Sequence, residues 1–319
     1  MPILCELSTD LDTPVSIFLK LRGKGPSFLL ESVEGGERVG RYSFLGAGNH
    51  IVVQTSGQEA TIYENGRTRK VSLKGRDPLH LIQELLSQYR VVRIPGLPPF
   101  FGGAVGYMSY DLVCFFEKLP SCSRDELGLP DCIFIFTDTV LVFDHVKHSV
   151  TIVANTHIDG DIDAVYNQTI ERLNAIAADI SRNLTIESPK NQAETIIAEP
   201  VEMESNFTPE EFMAAVESAK GYIVAGDALQ IVISQRLRRK TTARPFSIYR
   251  ALRMLNPSPY MFFFDFGNFQ LIGSSPEMLV KLQDGIAEAR PIAGTRPRGA
   301  SEEEDKALNL GHERPGRDG

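Results

Sequence analysis

The stretch YMFFFDFGNFQLIGSS, residues 260–275, decides the fold class. Two strongly apolar runs flank Gly267-Asn268, and such a two-residue loop is typical of a tight turn between antiparallel strands. Two other pairs of strand-like runs are separated in the same way, by Asn65-Gly66 and by Asp284-Gly285. The sequence therefore predicts antiparallel hairpins and not the repeated strand–helix–strand units of a parallel sheet.

Strand-like runs also occur elsewhere in the chain. Residues 28–55 alternate short apolar runs with glycines, which predicts strands joined by tight turns. Residues 132–155 predict two buried strands about a turn near His145, and residues 228–237 predict one further strand. These segments enlarge the antiparallel sheets that the hairpins predict.

Apolar residues recur at helical spacing in four segments: 77–89, 161–184, 208–226 and 246–255. One face of the first segment carries Leu79, Ile82, Leu85 and Leu86. Thr208 and Glu211 form a capping box around Pro209, and Gly226 ends that helix. Its apolar face carries Phe212, Ala215, Val216, Ala219 and Ile223. Grouped helices and hairpin strands together predict an α+β protein built on antiparallel sheets.

Residues 184–206 are acidic, poor in aromatic residues and contain two prolines, which predicts a linker between two halves. The predicted organisation is an N-terminal region over residues 1–183, this linker, and a second domain that begins at residue 207 and extends to residue 308. Residues 309–319 lack apolar periodicity and are dense in Gly, Arg and Pro, so we interpret them as an aberrant tail.

Composition excludes several classes of function. The 319 residues are 42% hydrophobic and 23% charged, as expected of a globular protein with a sizeable core. The net charge is −8 and no basic block occurs, which argues against nucleic-acid binding. The N-terminal residues do not resemble a signal peptide, and YMFFFDF is too short to span a bilayer. We therefore expect a cytoplasmic protein without membrane contact, whose cysteines are reduced: Cys5, Cys114, Cys122 and Cys132.

Glycine clusters and histidines favour structural roles. GGERVG at residues 35–40 and GGAVGY at residues 102–107 match neither the Walker nor the Rossmann pattern, so turns or bulges are the favoured interpretation. His145 and His148 are close in sequence, but a zinc site needs more ligands than these two. The sequence therefore predicts no metal site.

Two segments predict polar or rigid walls of a pocket. Along the predicted strand GDALQIVISQR, residues 226–236, one face carries Gln230, Val232, Ser234 and Arg236. Those polar side chains fit a wet cavity or an exposed sheet face equally well. In NPSPYMFFF, residues 256–264, two prolines precede an apolar strand, and such a rigid corner can line a pocket or serve structure alone.

The segment PIAGTRPRG, residues 291–299, is suited to an anion. Gly294-Thr295 can bring backbone N–H groups close to a ligand, and Arg296 and Arg298 are planar donors for carboxylates. A basic surface loop is the alternative interpretation. The residues by themselves therefore predict a small acidic ligand and nothing more specific.

Four motifs, in this order and spacing, resemble the chorismate-utilising enzymes: GDALQIVISQR, NPSPYMFFF, GSSPEMLV and RPIAGTRPRG. Within that family the chain is most similar to the anthranilate synthase component I group, over residues 1 to about 308. The resemblance implies interleaved antiparallel sheets with outer helices. Chorismate is a dicarboxylate, which agrees with the predicted anion site.

Functional residues follow from the resemblance alone. Gly294 and Thr295 would contact chorismate, and an L-tryptophan inhibitor would contact Ser32, Pro259, Tyr260 and Met261. Ala293 occupies the position where aminodeoxychorismate synthase component I, the related alternative, carries a lysine nucleophile. Alanine cannot form that covalent intermediate, so the resemblance favours direct amination by ammonia.

The implied activity converts chorismate and ammonia to anthranilate and pyruvate, the first step of tryptophan biosynthesis. A glutamine amidotransferase subunit, anthranilate synthase component II, would supply the ammonia within a heterotetramer. The resemblance also implies Mg²⁺, which would neutralise the substrate carboxylate. Because the family carries its metal ligands and catalytic residues in a later segment, neither is assigned within residues 1–319.

The family continues well past PIAGTRPRG, so the sequence predicts a fold that is incomplete at its C-terminus. One hypothesis is an anthranilate synthase component I chain that is inactive because it is truncated. Another, from a different class, is a non-catalytic remnant that still binds tryptophan.

Overall fold

The computed structural model describes residues 1–23, 25–32, 40–48, 51–64, 66–92, 94–119, 125–158, 160–182 and 203–289, with Ser301 and Glu303. The chain divides into two units, Met1–Ser274 and Ser275–Gly319. Gly294, Thr295 and Ala293, and most of the predicted linker, lie outside the described residues.

The described strands are, in chain order, β1 (Pro2–Ser8), β2 (Ser27–Glu31), β3 (Tyr42–Ala47), β4 (Ile51–Ser56), β5 (Glu59–Glu64), β6 (Arg67–Ser72), β7 (Gly103–Met108), β8 (Cys132–Thr137), β9 (Thr139–Asp144), β10 (Ser149–Asn155), β11 (Glu204–Ser205), β12 (Leu237–Arg238), β13 (Tyr260–Asp265), β14 (Gln270–Ser275), β15 (Lys281–Gln283) and β16 (Ile286–Glu288). Within this part of the chain one sheet has the order β1-β10-β9-β3-β2-β13-β14, and a second has the order β6-β5-β4-β8-β7. The strand pairs with a described register are antiparallel, as the hairpin signals predict.

The described helices are α1 (Pro14–Leu21), α2 (Pro78–Ser87), α3 (Ile162–Ser181), α4 (Pro209–Ala225) and α5 (Pro245–Leu255), with a 3₁₀ helix at Tyr110–Phe115. Their starts follow local chemistry. Thr208 and Glu211 form the predicted capping box at α4, and Asp77 caps α2 through the N–H groups of Leu79 and His80. Gly226 ends α4 in the left-handed conformation, as predicted. The fold is therefore the predicted α+β architecture.

Strand side chains alternate between two apolar layers. On β2, Leu29 packs in a cluster with α1, α3 and α5, whereas Phe28 packs in a cluster shared with strands β4 and β8 of the other sheet. Strand β13 follows the same alternation, with Met261 and Phe263 in the helix layer and Phe262 and Phe264 in the layer between the sheets. A third cluster joins the other face of the five-stranded sheet to α2. The two sheets thus stack, with helices on their outer faces.

Two glycines make room for aromatic rings between the sheets. Gly46 pairs with Phe28 across β2 and β3, and a Cβ at Gly46 would overlap the Phe28 ring. A Cβ at Gly273 would overlap the Phe262 ring in the same way. Glycine at these positions therefore lets a large side chain lie across the neighbouring strand.

The prediction of two strands over residues 132–155 is wrong, because the structure has three strands there. The chain forms β8 in the five-stranded sheet, passes Asp138, and then forms the β9–β10 hairpin in the seven-stranded sheet. The turn near His145 is confirmed, because Asp144 pairs with Ser149. Strands buried on both faces form one continuous apolar run, so the pattern does not show where the chain changes sheets.

The predicted apolar face of α2 is partly wrong. Leu81 and Ile82 are buried against the five-stranded sheet, whereas Leu79 and Leu86 are 38% and 39% exposed. The helix contains several leucines, so two overlapping faces fit the helical period equally well. Contact with the sheet selected the face that includes Ile82 and Leu85.

The predicted strand at residues 228–237 is also wrong over most of its length. Within the described residues only Leu237 and Arg238 pair, with Ser205 and Glu204. A strand needs a neighbouring strand for its backbone hydrogen bonds, and within the described part of the chain residues 228–235 pair with none. No side chain of α4 is fully buried either, and Ile223 on its predicted apolar face is 41% exposed.

The three predicted hairpins are confirmed by the pairing of their strands. Strand β5 pairs with β6, with Glu64 opposite Arg67, and β13 pairs with β14 on either side of Gly267-Asn268. In the second unit, β15 and β16 pair across Asp284-Gly285. Strand β13, which follows the predicted linker, pairs with β2 from the predicted N-terminal region. The division at residues 184–206 stays a prediction.

Candidate functional site

The structure brings Ser32 to the same end of one strand pair as Tyr260 and Met261. Strands β2 and β13 pair antiparallel, and Met261 lies opposite Glu31 at the end of the described register. Ser32 directly follows Glu31, and Tyr260 directly precedes Met261. Ser32 and the Tyr260-Met261 pair, which are more than two hundred positions apart in sequence, therefore lie at the same end of this strand pair.

Pro259 belongs to a corner that is held from two sides. The Asn256 N–H donates to the Leu252 carbonyl at 2.8 Å, which ties the corner to the end of α5. The Ser274 hydroxyl donates to the Asn256 carbonyl at 2.7 Å and lies 2.7 Å from the hydroxyl of the buried Ser258. With prolines on both sides of Ser258, the backbone that leads into Tyr260 has little freedom. The hydrogen bonds fit the structural corner that the sequence left open as an alternative, and the corner leads into the strand that pairs with β2.

The Ser32 hydroxyl oxygen is buried and finds no hydrogen-bond partner among the described residues. A buried hydroxyl without a partner costs about 1–3 kcal/mol, so such groups call for an explanation. The Ser27 hydroxyl, at the other end of β2, is in the same condition. Ser27 is enclosed at 1% exposure, whereas Ser32 is only half-buried and adjoins the corner. Ser32 is therefore the less enclosed residue of the two, although its hydroxyl oxygen is itself buried.

A buried carboxylate lies directly before Ser32. Glu31 is 4% exposed and accepts a hydrogen bond from the Tyr249 hydroxyl at 2.5 Å. Arg253, one turn further along α5, donates to both oxygens of Glu31, at 3.0 and 3.2 Å. A buried charge is tolerated only when it is paired in this way. Burial, together with the negative charge and hydrogen bond of Glu31, raises the pKa of Tyr249 well above its usual range, so the hydroxyl stays protonated and donates.

Further polar groups lie near this carboxylate. His145 Nε2 is 2.8 Å from the hydroxyl of the buried Ser43. Burial lowers the pKa of His145 from its ordinary value; the nearby Glu31 charge opposes that shift and Arg253 adds to it. In the residue before His145, burial by itself would raise the pKa of the Asp144 carboxyl group. Hydrogen bonds from Arg41 and from two backbone N–H groups outweigh it and hold the pKa below its ordinary value.

Sequence reasoning missed Glu31, Tyr249 and Arg253. A signal for them exists: a single glutamate ends the apolar run FLLE, on the face that packs against the helices. Tyr249 and Arg253 are four positions apart, and that spacing places both on one helix face. The sequence does not show that these two faces meet, because they are 218 and 222 residues apart.

Residues 226–236, the other segment predicted as a pocket wall, do not line an enclosed cavity among the described residues. Gln230, Val232, Ser234 and Arg236 are all exposed. Arg236 forms an ion pair with Glu126 at 2.5 Å, and its backbone N–H donates to the Asn206 side chain at 2.7 Å. Arg236, Glu126 and Asn206 line an open surface cleft, of which Gln230, Val232 and Ser234 are not a part. Among the described residues no group of three or more His, Cys, Asp or Glu could hold a metal ion, and no helix is long and apolar enough to cross a membrane.

Residues 25–310 match the family model described as chorismate binding enzyme, and the chain belongs to that family. It is 42% identical over 316 residues to anthranilate synthase component 1 of Acetivibrio thermocellus, covering 97% of this chain and 62% of that protein. The relative from Pseudomonas putida is 42% identical over 313 residues, again covering 97% of this chain and 62% of that protein.

Solved structures show the same fold. Anthranilate synthase component I from Streptococcus pneumoniae TIGR4 matches with a TM-score of 0.61 and 30% identity, covering 96% of this chain and 63% of that chain. This likeness confirms the predicted architecture of antiparallel sheets with helices. The chain spans just over three fifths of the length of the relatives it matches.

Proposed function

We propose that the protein to which this chain belongs is the chorismate-aminating component of anthranilate synthase. The observation that carries the proposal is 42% identity to anthranilate synthase component 1 along 97% of this chain. In the proposed reaction ammonia adds to chorismate with loss of a hydroxyl group as water, and elimination of pyruvate then yields anthranilate. Gly294 and Thr295 would bind the substrate, as the anion-binding chemistry of PIAGTRPRG supports.

Ala293 favours this reaction over its closest alternative. A lysine at that position would permit a covalent intermediate, as in the related aminodeoxychorismate synthase component I, whereas alanine has no nucleophile. Free ammonia is then the attacking group. We propose that a glutamine amidotransferase subunit supplies it.

Mg²⁺ belongs to the proposal for the whole protein only. In the described residues no cluster of acidic or histidine side chains fits a metal ion, so no catalytic step is assigned to it here. The relatives carry more than a third of their length outside the segment that this chain matches. We therefore expect residues 1–319 alone to form no anthranilate.

The regulatory part of the proposal is inhibition by L-tryptophan at Ser32, Pro259, Tyr260 and Met261. Three features support it: the unpartnered Ser32 hydroxyl, the rigid corner before Tyr260, and the strand pairing that joins them. A serine hydroxyl that lacks a protein partner can donate to a ligand carboxylate or accept from a ligand ammonium group.

Anthranilate fluorescence tests the catalytic part. The full-length protein with chorismate, Mg²⁺ and ammonium should form anthranilate and pyruvate in equal amounts, and residues 1–319 should form neither. Formation of aminodeoxychorismate in place of anthranilate would establish the related enzyme instead. Clear turnover by residues 1–319 would refute the expectation that the matched segment is inactive alone.

Tryptophan fluorescence tests the regulatory part. Residues 1–319 contain no Trp, so any change in indole emission on mixing reports the ligand and not the protein. Ser32→Ala should weaken binding about tenfold, because one hydrogen bond contributes roughly 1.5 kcal/mol. Ser27→Ala is the matched control: it removes another buried, unpartnered hydroxyl, at the opposite end of β2 from Ser32, and should leave affinity unchanged. Binding by residues 1–319 without any activity of the full-length protein would favour the non-catalytic tryptophan-binding remnant.

A further inference from the structure

The proposed inhibitor site has two halves that come from distant parts of the sequence. Ser32 extends from the end of β2, and Pro259 to Met261 follow α5. The described backbone pairing between these halves ends at Glu31 and Met261. Among the described residues, the next contacts that join the two halves are made by side chains.

Glu31 supplies that restraint. Its side chain points to the helix layer, since Leu29 two residues earlier packs there and strand side chains alternate. In that layer α5 provides three hydrogen bonds to the carboxylate, one from Tyr249 and two from Arg253. Tyr249 is itself fixed, because it is fully buried and its ring stacks on Phe246.

The same helix leads directly into the corner. Arg253 lies three residues before Asn256, and the corner continues through Ser258 to Pro259. The Glu31 side chain therefore ties the end of β2, directly before Ser32, to the helix that leads into Pro259. A two-oxygen contact with a guanidinium fixes direction as well as distance, which a single hydrogen bond does not.

We propose that Arg253 and Tyr249 are positioning residues of the tryptophan site, which hold its two halves together through Glu31. The inference rests on the proposed regulatory function. In it, neither side chain contacts tryptophan; both act by holding the end of β2 against α5. Loss of these hydrogen bonds to Glu31 would leave the β2–β13 pairing intact and let Ser32 move relative to Tyr260.

The test compares tryptophan affinity with thermal stability in the full-length protein. Arg253→Met removes the charged partner and should weaken tryptophan binding on the order of tenfold, a size usual for coupled neighbouring groups. Arg253→Lys keeps the charge without the two-oxygen contact and should give an intermediate affinity. Tyr249→Phe keeps the packed ring, removes only the hydroxyl, and should weaken binding about threefold. This last variant keeps the test open if Arg253→Met does not fold.

Lys20→Met is the matched control. Lys20 is also a cation paired with a carboxylate, that of Asp12 at 2.8 Å, and it lies on α1, the helix that packs in the same layer through Ile17 and Phe18. It should lower the midpoint of thermal unfolding without changing tryptophan affinity. If Arg253→Met and Tyr249→Phe lower only the midpoint, as Lys20→Met does, the two residues are structural and the inference is wrong. Absence of tryptophan binding by the unmodified protein would instead refute the regulatory function, and the inference with it.

Discussion

Replacing Gly46 by alanine tests how aromatic rings pack against glycines between the two sheets. Gly46 pairs with Phe28, and a new Cβ would overlap the Phe28 ring. Because Phe28 is 0% exposed in a close-packed interior, the ring has no free volume to enter. We expect Gly46→Ala to lower the free energy of unfolding by about 2 kcal/mol, within the usual cost of overpacking.

A second substitution separates this overlap from a general effect on the strand. Phe28→Leu removes the ring atoms nearest Gly46 and by itself should cost about 1.5 kcal/mol. Independent effects would give a loss of about 3.5 kcal/mol in the double variant. Because leucine leaves space for the new methyl group, we expect about 2 kcal/mol, which is a coupling energy of about 1.5 kcal/mol.

Urea titrations followed by far-ultraviolet circular dichroism measure these differences, since the chain has no Trp to report unfolding by fluorescence. Phe136→Leu serves as the control partner, because Phe136 packs in the layer under α2. Its cost should add to that of Gly46→Ala within about 0.5 kcal/mol. Simple additivity between Gly46→Ala and Phe28→Leu would refute the packing argument.

Three further predictions concern glycine and titratable groups. Gly106→Ala should destabilise the protein by about 2 kcal/mol in urea titrations, because its Cβ would overlap a backbone carbonyl of β8. Gly221→Ala should instead stabilise it by about 0.5–1 kcal/mol, because Gly221 lies in α4 with open space around its Cβ position. Burial lowers the pKa of His145, so the folded state binds fewer protons than the unfolded state. Stability should therefore fall as the pH drops below 6.5. His145→Gln should remove this pH dependence of stability, and His157→Gln should retain it. The pKa of Asp144 is held below its ordinary 3.8, so its contribution to stability is present above that pH and lost as the pH falls through the lowered pKa. The cost of Asp144→Asn, measured at neutral pH, should therefore shrink in acid, and a cost that is constant with pH would contradict the assignment.

Local elements could be predicted from sequence because their causes are local. The turn at Asp284-Gly285 has positive φ at both residues, 52° and 80°, which is the geometry that Asp-Gly favours. The α4 capping box needs only Thr208 and Glu211, three positions apart. Each of these predictions depends on a few neighbouring residues and was confirmed.

Predictions that depended on distant partners failed or stayed open. Residues 228–236 have strand-like composition, yet they are not a strand, because composition does not supply a neighbour. Residues 132–155 were divided wrongly because β8 and β9 have the same apolar character in two different sheets. The predicted chorismate residues, Gly294 and Thr295, lie outside the described residues, so their role remains a proposal.

By itself the sequence determined the hairpins, the helix caps, the α+β class and the family, since these depend on short patterns and on motif order. Only the tertiary structure decided that Glu31 lies opposite Met261 and that Glu31 is held by Tyr249 and Arg253. Those contacts join residues more than two hundred positions apart, and a linear pattern does not encode which faces will meet. Strand pairing and burial of a charge set that choice, because a buried carboxylate is stable only where the fold brings donors to it.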